Sequence, residues 1–154
     1  MNDIPNIKSN PLYISVGLLV ISYLIGEFIL PKYPLIYFFQ LIGMLGLIIS
    51  TLIFFSSFNL FRTYGENPAP GSTTNQIIKT GIFSYTRNPI YLSFLMFHLS
   101  MFLVFENVVY ILSSFGMAIW LHHYVIKSEE DFLLKKFSDE YERYKDAVNR
   151  WIFF

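Results

Sequence analysis

Four apolar runs, each close to the length of a membrane-crossing helix, constrain this chain more than any other feature of its sequence. They cover residues 11–30, 34–58, 89–105 and 108–126. A helix rises about 1.5 Å per residue, and roughly 20 apolar residues therefore cross about 30 Å of hydrocarbon. Because backbone groups in lipid need internal hydrogen-bond partners and no period-2 alternation is present, we predict helices. The expected fold class is an all-α membrane protein with about four transmembrane helices.

The composition and the charge agree with a membrane protein and argue against several other classes of protein and of function. Only 14% of the residues are charged, against about 25% in an ordinary soluble domain. We expect the 154 residues to form a single transmembrane helical domain, 1–154, on which any chemistry must take place. The net charge of zero gives no indication of nucleic-acid binding. The absence of cysteine excludes thiolate chemistry, and no metal site is predicted.

The placement of basic residues predicts the orientation in the membrane. Of the 11 lysine and arginine residues, Lys32 alone lies between runs one and two or between runs three and four. The others precede the first run, lie between the second and third, or follow the fourth. Cytoplasmic loops are enriched in these residues. The sequence therefore predicts an integral, multi-pass membrane protein with both termini in the cytoplasm.

Two further patterns concern the packing of the helices. Small residues recur at helical spacing and predict close helix contacts in lipid: Ser22, Gly26, Gly43, Gly46, Ser50, Ser114 and Ala118. After the fourth run, apolar side chains recur every three or four residues: Leu133, Phe137, Tyr141, Tyr144, Val148 and Trp151. This spacing predicts an amphipathic cytoplasmic helix at about 128–148. The pattern is compatible with a helix on the lipid headgroups and with one folded back over the bundle.

The third and fourth runs are predicted to form an antiparallel hairpin. Glu106 and Asn107 alone connect them, and the two runs have nearly equal lengths. A connection this short makes the helices antiparallel neighbours. Their cytoplasmic ends should therefore meet, which brings residues 87–91 close to the twin acids Glu129 and Glu130.

This corner offers groups that suit a zwitterionic, adenosine-containing cofactor. Free N–H groups at the start of the third helix, with Arg87 beside them, form an anion site suited to a carboxylate. Glu129 and Glu130 can accept hydrogen bonds from sugar hydroxyls or an amino group, and Phe83, Tyr85 and Tyr91 offer flat faces to a purine. A nucleotide fits less well, because the sequence has no glycine-rich phosphate loop.

Each of these features also has a purely structural interpretation. Arg87 is a suitable anchor at the cytoplasmic surface. Asn88, directly before a proline, is a good N-cap for the third helix. Ser128 with Asp131 has the pattern of a capping box, which would make the twin acids ordinary first-turn residues. The residues alone leave both interpretations open.

Two stretches of the sequence together resemble the integral-membrane methyltransferases that include isoprenylcysteine carboxyl methyltransferase and the phospholipid methyltransferases. They are QIIKTGIFSYTRNPIYLSFLMF and SEEDFLLKKFSDEYERYKDAVNR, within residues 75–150. The shared pattern is a glycine, a short gap, Arg-Asn-Pro, a tyrosine, a helix hairpin, a Glu-Glu pair and a tail with spaced tyrosines. The resemblance implies S-adenosyl-L-methionine as cofactor, and the lipid bilayer and a lipophilic acceptor as partners.

The resemblance also implies which residues bind the cofactor, and Arg87 joins them because of its place in the predicted anion site. They are Gln76, Ile77, Ile78, Phe83, Arg87, Asn88, Pro89, Ile90, Tyr91, Glu129 and Glu130. Two positions depart from the family pattern. Ser138 replaces the glycine of the tail, and Val125 replaces an arginine that handles the acceptor in the isoprenylcysteine enzymes. The acceptor is therefore left open, among an isoprenylcysteine-like carboxylate, a phospholipid amine and another small lipophilic nucleophile.

The expected function is thus an S-adenosylmethionine-dependent membrane methyltransferase, for which no catalytic residue is assigned. His122, His123 and Glu130 lie at a suitable depth for a base, if the acceptor needs one. An NADPH-dependent membrane reductase of the sterol-reductase type and a non-enzymatic helical scaffold are the alternatives. His98 and Glu27 are ionisable residues within apolar runs, and the sequence leaves their roles open.

Overall fold

The computed structural model describes Pro5, Ile7 and residues 9–152. The regular structure of these residues is helical and includes no strand, which confirms the all-α fold class. In chain order the elements are α1 (Pro11–Phe28), α2 (Tyr37–Thr63), a 3-10 turn (Gly81–Ser84), α3 (Pro89–Phe105), α4 (Val109–Leu121), a π-helical segment (His122–Ile126), α5 (Lys127–Phe137) and α6 (Asp139–Ala147). Three helices are long and apolar enough to cross a membrane, namely α1, α2 and the continuous helix Val109–Phe137. The fourth apolar helix, α3, is shorter at 17 residues.

The predicted bounds are correct for α3 and shifted for the first two helices. α1 ends at Phe28, and α2 begins at Tyr37 and runs to Thr63, whereas the predicted runs were 11–30 and 34–58. The chain beyond residue 58 contains no proline or glycine before Gly65, which has a φ of 67°. A left-handed glycine just past the last turn is a common way for a helix to stop.

The predicted start of a separate helix at residue 128 is wrong. Val109–Phe137 is one continuous helix with a π-helical turn at His122–Ile126. Ser128 caps nothing there, because the backbone is already helical at Ile126. The chain instead breaks at Ser138, whose φ of 44° and ψ of −119° favour glycine. The predicted amphipathic helix at 128–148 is therefore two helices, separated at the position where the related pattern carries glycine.

Small residues allow close contact between α2 and α3. A β-carbon added to Gly43 would lie 2.8 Å from Leu103 Cβ and 3.0 Å from the carbonyl oxygen of Ser100. Gly46, one turn further along α2, lies against the Ser100 hydroxyl with less room still. Lipid tails are as apolar as the helix surfaces, so no hydrophobic force drives helices together in a membrane. Close backbone approach of this kind is therefore a main source of helix association there.

The two ionisable residues that the sequence left open have structural partners. His98 is fully buried, with Nε2 3.1 Å from Ser15 Oγ of α1 and Nδ1 2.7 Å from Ser113 Oγ of α4. It therefore connects three helices inside the bundle, where an unpaired polar group would be costly. Glu27, near the end of α1, forms an ion pair with Lys32 at 2.8 Å and is partly exposed.

Gly43→Ala is expected to lower the free energy of unfolding by about 1–3 kcal/mol, because the added methyl group overpacks the α2–α3 contact. Thermal unfolding in detergent measures the effect. Gly116→Ala on α4 is the matched control, since an added carbon there meets nothing within 4 Å. Equal stabilities of the two variants would contradict this account of the contact.

Candidate active site

The hairpin brings the start of α3 against α5, as the sequence predicted. The Tyr91 hydroxyl donates to Glu129 Oε1 at 2.8 Å. Arg87 Nη2 donates to Glu130 Oε1, also at 2.8 Å. The acids reach this height because the helix that contains α4 continues without a break into α5. The prediction that the 87–91 corner meets the twin acids is confirmed.

A cavity opens where these elements meet. It contains about 900 Å³ of empty space, including the part open to solvent, and small-molecule sites typically measure about 300–1,000 Å³. All the residues predicted to bind the cofactor line it: Gln76, Ile77, Ile78, Phe83, Arg87, Asn88, Pro89, Ile90, Tyr91, Glu129 and Glu130. That they bind a cofactor stays a prediction.

The start of α3 has no side-chain cap in the part of the chain described. The interpretation of Asn88 as a side-chain cap is therefore wrong. Its Nδ2 instead donates to the carbonyl oxygen of Arg150 at 3.2 Å, and its main-chain N–H donates to Thr86 Oγ1 at 3.2 Å. The N–H groups of Ile90 and Tyr91, in the first helical turn, have no intrahelical acceptor. Two backbone donors thus belong to residues that line the cavity.

Arg87 is held largely by the protein itself. Nη1 donates to the carbonyl oxygens of Lys145 and Val148 at 3.1 Å and 2.9 Å, and Nη2 bonds Glu130. The side chain is only 10% exposed, and its buried Nε has no partner among the described residues. Buried donors are nearly always satisfied, so this N–H lacks a partner that a buried donor ordinarily has.

Glu130 lies between two guanidinium groups. Arg150 Nε donates to Oε1 at 3.1 Å and Arg150 Nη2 donates to Oε2, while Arg87 bonds Oε1 from the other side. Hydrogen bonding to this carboxylate raises the pKa of Arg150. A carboxylate engaged by two permanent cations is a poor proton acceptor. Glu130 is therefore better suited to hold the site together than to serve as the base considered from the sequence.

The two histidines considered as bases differ in their surroundings. His122 Nδ1 lies 3.2 Å from Arg150 Nη1, at the rim of the same ionic network. His123 is exposed, and its ring makes an edge contact with that of His122 at 5.0 Å between centroids. Neither histidine lines the cavity.

One wall of the cavity comes from α6. Tyr141 and Tyr144 are 2% and 6% exposed and line the cavity beside Phe132. The Tyr144 hydroxyl donates to the carbonyl oxygen of Phe83 at 2.7 Å. Burial raises the pKa of both phenols, which keeps them protonated and able to donate. The apolar stripe was the sequence signal for this wall, and the structure shows α6 folded back over the bundle.

A loop between α2 and the 3-10 turn forms another part of the cavity wall. Residues 67–74 contribute six of the lining positions: Asn67, Pro68, Ala69, Gly71, Ser72 and Thr74. The base of the loop is closed by Glu66, 7% exposed, whose two carboxylate oxygens each lie 3.0 Å from the N–H of Asn75. Proline and glycine content predicts a loop here but not the surface it covers.

Fold and site together define a helical membrane protein with a cavity lined by aromatic, aliphatic and charged side chains at one end of its bundle. The sequence matches the phospholipid methyltransferase family over residues 37–140, and the chain belongs to this family of membrane methyltransferases. An uncharacterized protein of Haemophilus influenzae is 36% identical over 63 residues, which make up 41% of this chain and the whole of that protein. Residues 141–152, with part of α6 and Arg150, lie beyond the family match.

Tyr144→Phe is expected to lower the free energy of unfolding by about 1 kcal/mol, because the buried carbonyl oxygen of Phe83 loses its donor. Thermal unfolding and hydrogen exchange of α6 amides measure the effect. Tyr124→Phe, at a side chain 66% exposed, is the control. If both variants match the wild type, the docking of α6 does not depend on this bond.

Proposed function

We propose that this protein is an S-adenosyl-L-methionine-dependent methyltransferase that methylates a lipophilic acceptor at a membrane surface. The proposal rests on one observation: residues 87–91, Glu129 and the tyrosines of α6 all line the same cavity. The chain that forms this cavity belongs to a methyltransferase family. When bound, this cofactor supplies an electrophilic methyl group attached to a sulfonium sulfur.

The start of α3 fits the carboxylate of the cofactor's amino-acid part. The N–H groups of Ile90 and Tyr91 lie at the positive end of the helix, where anions bind readily. Arg87 adds a buried Nε–H without a partner among the described residues. A carboxylate would satisfy these donors, and this orphaned N–H is the feature of the site that favours an anionic group most directly.

Glu129 fits the hydroxyl and amino groups of the cofactor. Tyr91 donates to Oε1, which orients the carboxylate and leaves Oε2 as an acceptor directed from a rigid helix. Phe83 and Tyr141 are buried aromatic side chains in the same cavity. Their flat faces suit the purine of the adenosine part. The chain therefore offers separate groups for each part of the molecule.

The contribution of these residues to catalysis is alignment. Holding the two reactants in a reactive geometry replaces a bimolecular encounter, and this effect is worth up to about 7–11 kcal/mol of barrier. The loop 67–74 and α6 both contribute to the wall of the cavity in which the reactants would be held. Because Glu130 is held by two arginines, the proposal assigns it no proton transfer.

A groove between α1 and α2 fits the lipophilic part of the acceptor. It contains about 520 Å³ of empty space and is lined mainly by apolar side chains, among them Leu19, Phe54 and Phe97. Phe94 also lines it, and the Phe94 ring lies 6.4 Å from that of Tyr91, which lines the cavity. The acceptor would therefore enter laterally from the bilayer and reach the cavity past Phe94.

The same proposal includes an orientation of the protein in the membrane. Lys79, Arg87 and Arg150 lie at the cavity end of the bundle, and the positive-inside rule assigns such an end to the cytoplasm. The cofactor would enter from the cytoplasm, where both chain termini would also lie.

Glu129→Gln is expected to weaken binding of S-adenosylhomocysteine by about tenfold, since one charge-assisted acceptor is lost. Titration calorimetry in detergent measures the affinity, and Glu142→Gln on the exposed side of α6 is the control. Wild-type binding of NADPH instead would favour the reductase, and binding of neither ligand would favour the scaffold. Unchanged affinity in Glu129→Gln would remove this residue from the site.

Leu19→Trp is expected to raise the KM for the acceptor severalfold by filling the groove, while the affinity for S-adenosylhomocysteine stays unchanged. Transfer of a tritiated methyl group to a total membrane-lipid extract measures this. Leu24→Trp, on α1 but outside the groove lining, is the matched control. Equal transfer by both variants would contradict entry through the groove.

A further inference from the structure

The chain after α6 forms a strap, residues 148–150, that crosses the start of α3. The main-chain N–H of Arg87 donates to the carbonyl oxygen of Asn149 at 3.0 Å. Arg87 Nη1 donates to the carbonyl oxygen of Val148 at 2.9 Å, and Thr86 Oγ1 donates to that of Arg150 at 2.8 Å. The backbone of the strap therefore supplies acceptors to three consecutive residues before α3, namely Thr86, Arg87 and Asn88.

Arg150 reaches both sides of the cavity from the end of this strap. Its main-chain oxygen accepts from Thr86 and from Asn88 on the α3 side. Its guanidinium donates to both oxygens of Glu130 and approaches His122 Nδ1 on the other side. One residue thus connects the start of α3 with the helix that carries the twin acids.

The burial of this network makes its geometry matter. The side chains of Glu130, Arg87 and Arg150 are 13%, 10% and 27% exposed. A planar guanidinium that donates to both oxygens of a carboxylate fixes the rotation of that carboxylate as well as its position. Without Arg150, Glu130 would keep a single cationic partner, and the strap would lose its attachment to α5.

We propose that Arg150 is a positioning residue of this site. Acting through Glu130 on one side and through Thr86 and Asn88 on the other, it sets the separation and orientation of α5 and the start of α3. The ligand affected is the cofactor, and that part rests on the proposed function. Arg150 lies outside the residues matched by the family, and its role follows from the contacts described here.

The test compares Arg150→Gln with Arg150→Lys, using S-adenosylhomocysteine as the probe. Arg150→Gln is expected to weaken binding about tenfold or more, because it loses the charge-assisted bonds to Glu130. Arg150→Lys keeps the positive charge but not the planar set of N–H donors that bonds both carboxylate oxygens, and an intermediate affinity is expected. Arg143→Gln, an exposed arginine on α6, is the matched control and should bind like the wild type. Wild-type affinity in either Arg150 variant would overturn the proposal.

A double-mutant cycle separates positioning from a general loss of stability. If Arg150 acts through Glu130, adding Arg150→Gln to Glu130→Gln should weaken binding much less than it does in the wild type. Full additivity of the two losses would mean that Arg150 acts independently of Glu130, and would overturn the proposal. Because Arg150 and Glu130 are in direct contact, their effects on binding are not expected to add.

Hydrogen exchange gives a readout that needs no ligand. The Arg87 amide donates to the strap, and its exchange should become at least about tenfold faster in Arg150→Gln while Arg143→Gln leaves it unchanged. If the wild type binds no S-adenosylhomocysteine, the proposed function fails, and exchange alone then decides on Arg150. Unchanged exchange in Arg150→Gln would overturn the positioning role.

Discussion

The contact of Tyr91 with Glu129 and of Arg87 with Glu130 joins two helices at one height, and the site depends on it. α3 spans about 25 Å over its 17 residues. The returning helix starts at Val109 and continues through the π-helical turn, and it carries the acids past the same height. Tyr91, Glu129 and Glu130 project from helices, and Arg87 lies two residues before α3, so the packing of the hairpin largely sets their separations. The cavity is a consequence of that packing.

The ionic network around Glu130 is better explained by the orientation it gives to the side chains than by a gain in the stability of the protein. Partly buried charges lose hydration, and hydrophobic side chains of similar size often stabilise a protein as well or better. A carboxylate held between Arg87 and Arg150 has, however, a fixed orientation and a fixed partner on each side. The same geometry removes it from acid–base chemistry. In the proposed function Glu129 would bind the ligand and Glu130 would hold α5 to the start of α3, although the two acids are neighbours in the sequence.

Much of the site could be predicted because it follows from local rules. Asn-Pro fixes where α3 begins, and the short connection at Glu106 and Asn107 makes the hairpin antiparallel, which brings the predicted residues to one cavity. The break predicted near residue 126 was wrong because a capping-box pattern also occurs inside helices, where nothing needs a cap. No local pattern distinguishes these cases; the backbone conformation at Ser138, not at Ser128, decides where the helix ends.

Other features depend on partners far away in the chain, which a single sequence does not display. The apolar stripe of α6 suits a lipid surface and a protein surface equally, and the choice between them lies in contacts such as Tyr144 with Phe83. The strap bonds mainly through carbonyl oxygens, which every residue has, and its role therefore leaves no signature in side-chain types. His98 is similar, because its serine partners lie on two other helices.

The central claim is that an adenosyl cofactor binds between the start of α3 and the acids of α5. The most direct test is ultraviolet cross-linking of radiolabelled S-adenosyl-L-methionine to the purified protein in detergent, followed by peptide mapping. The account predicts label in peptides from residues 76–91 or 129–144, and loss of that label when excess S-adenosylhomocysteine competes. Label confined to peptides of α1 or α2, or label that the competitor does not reduce, would contradict it.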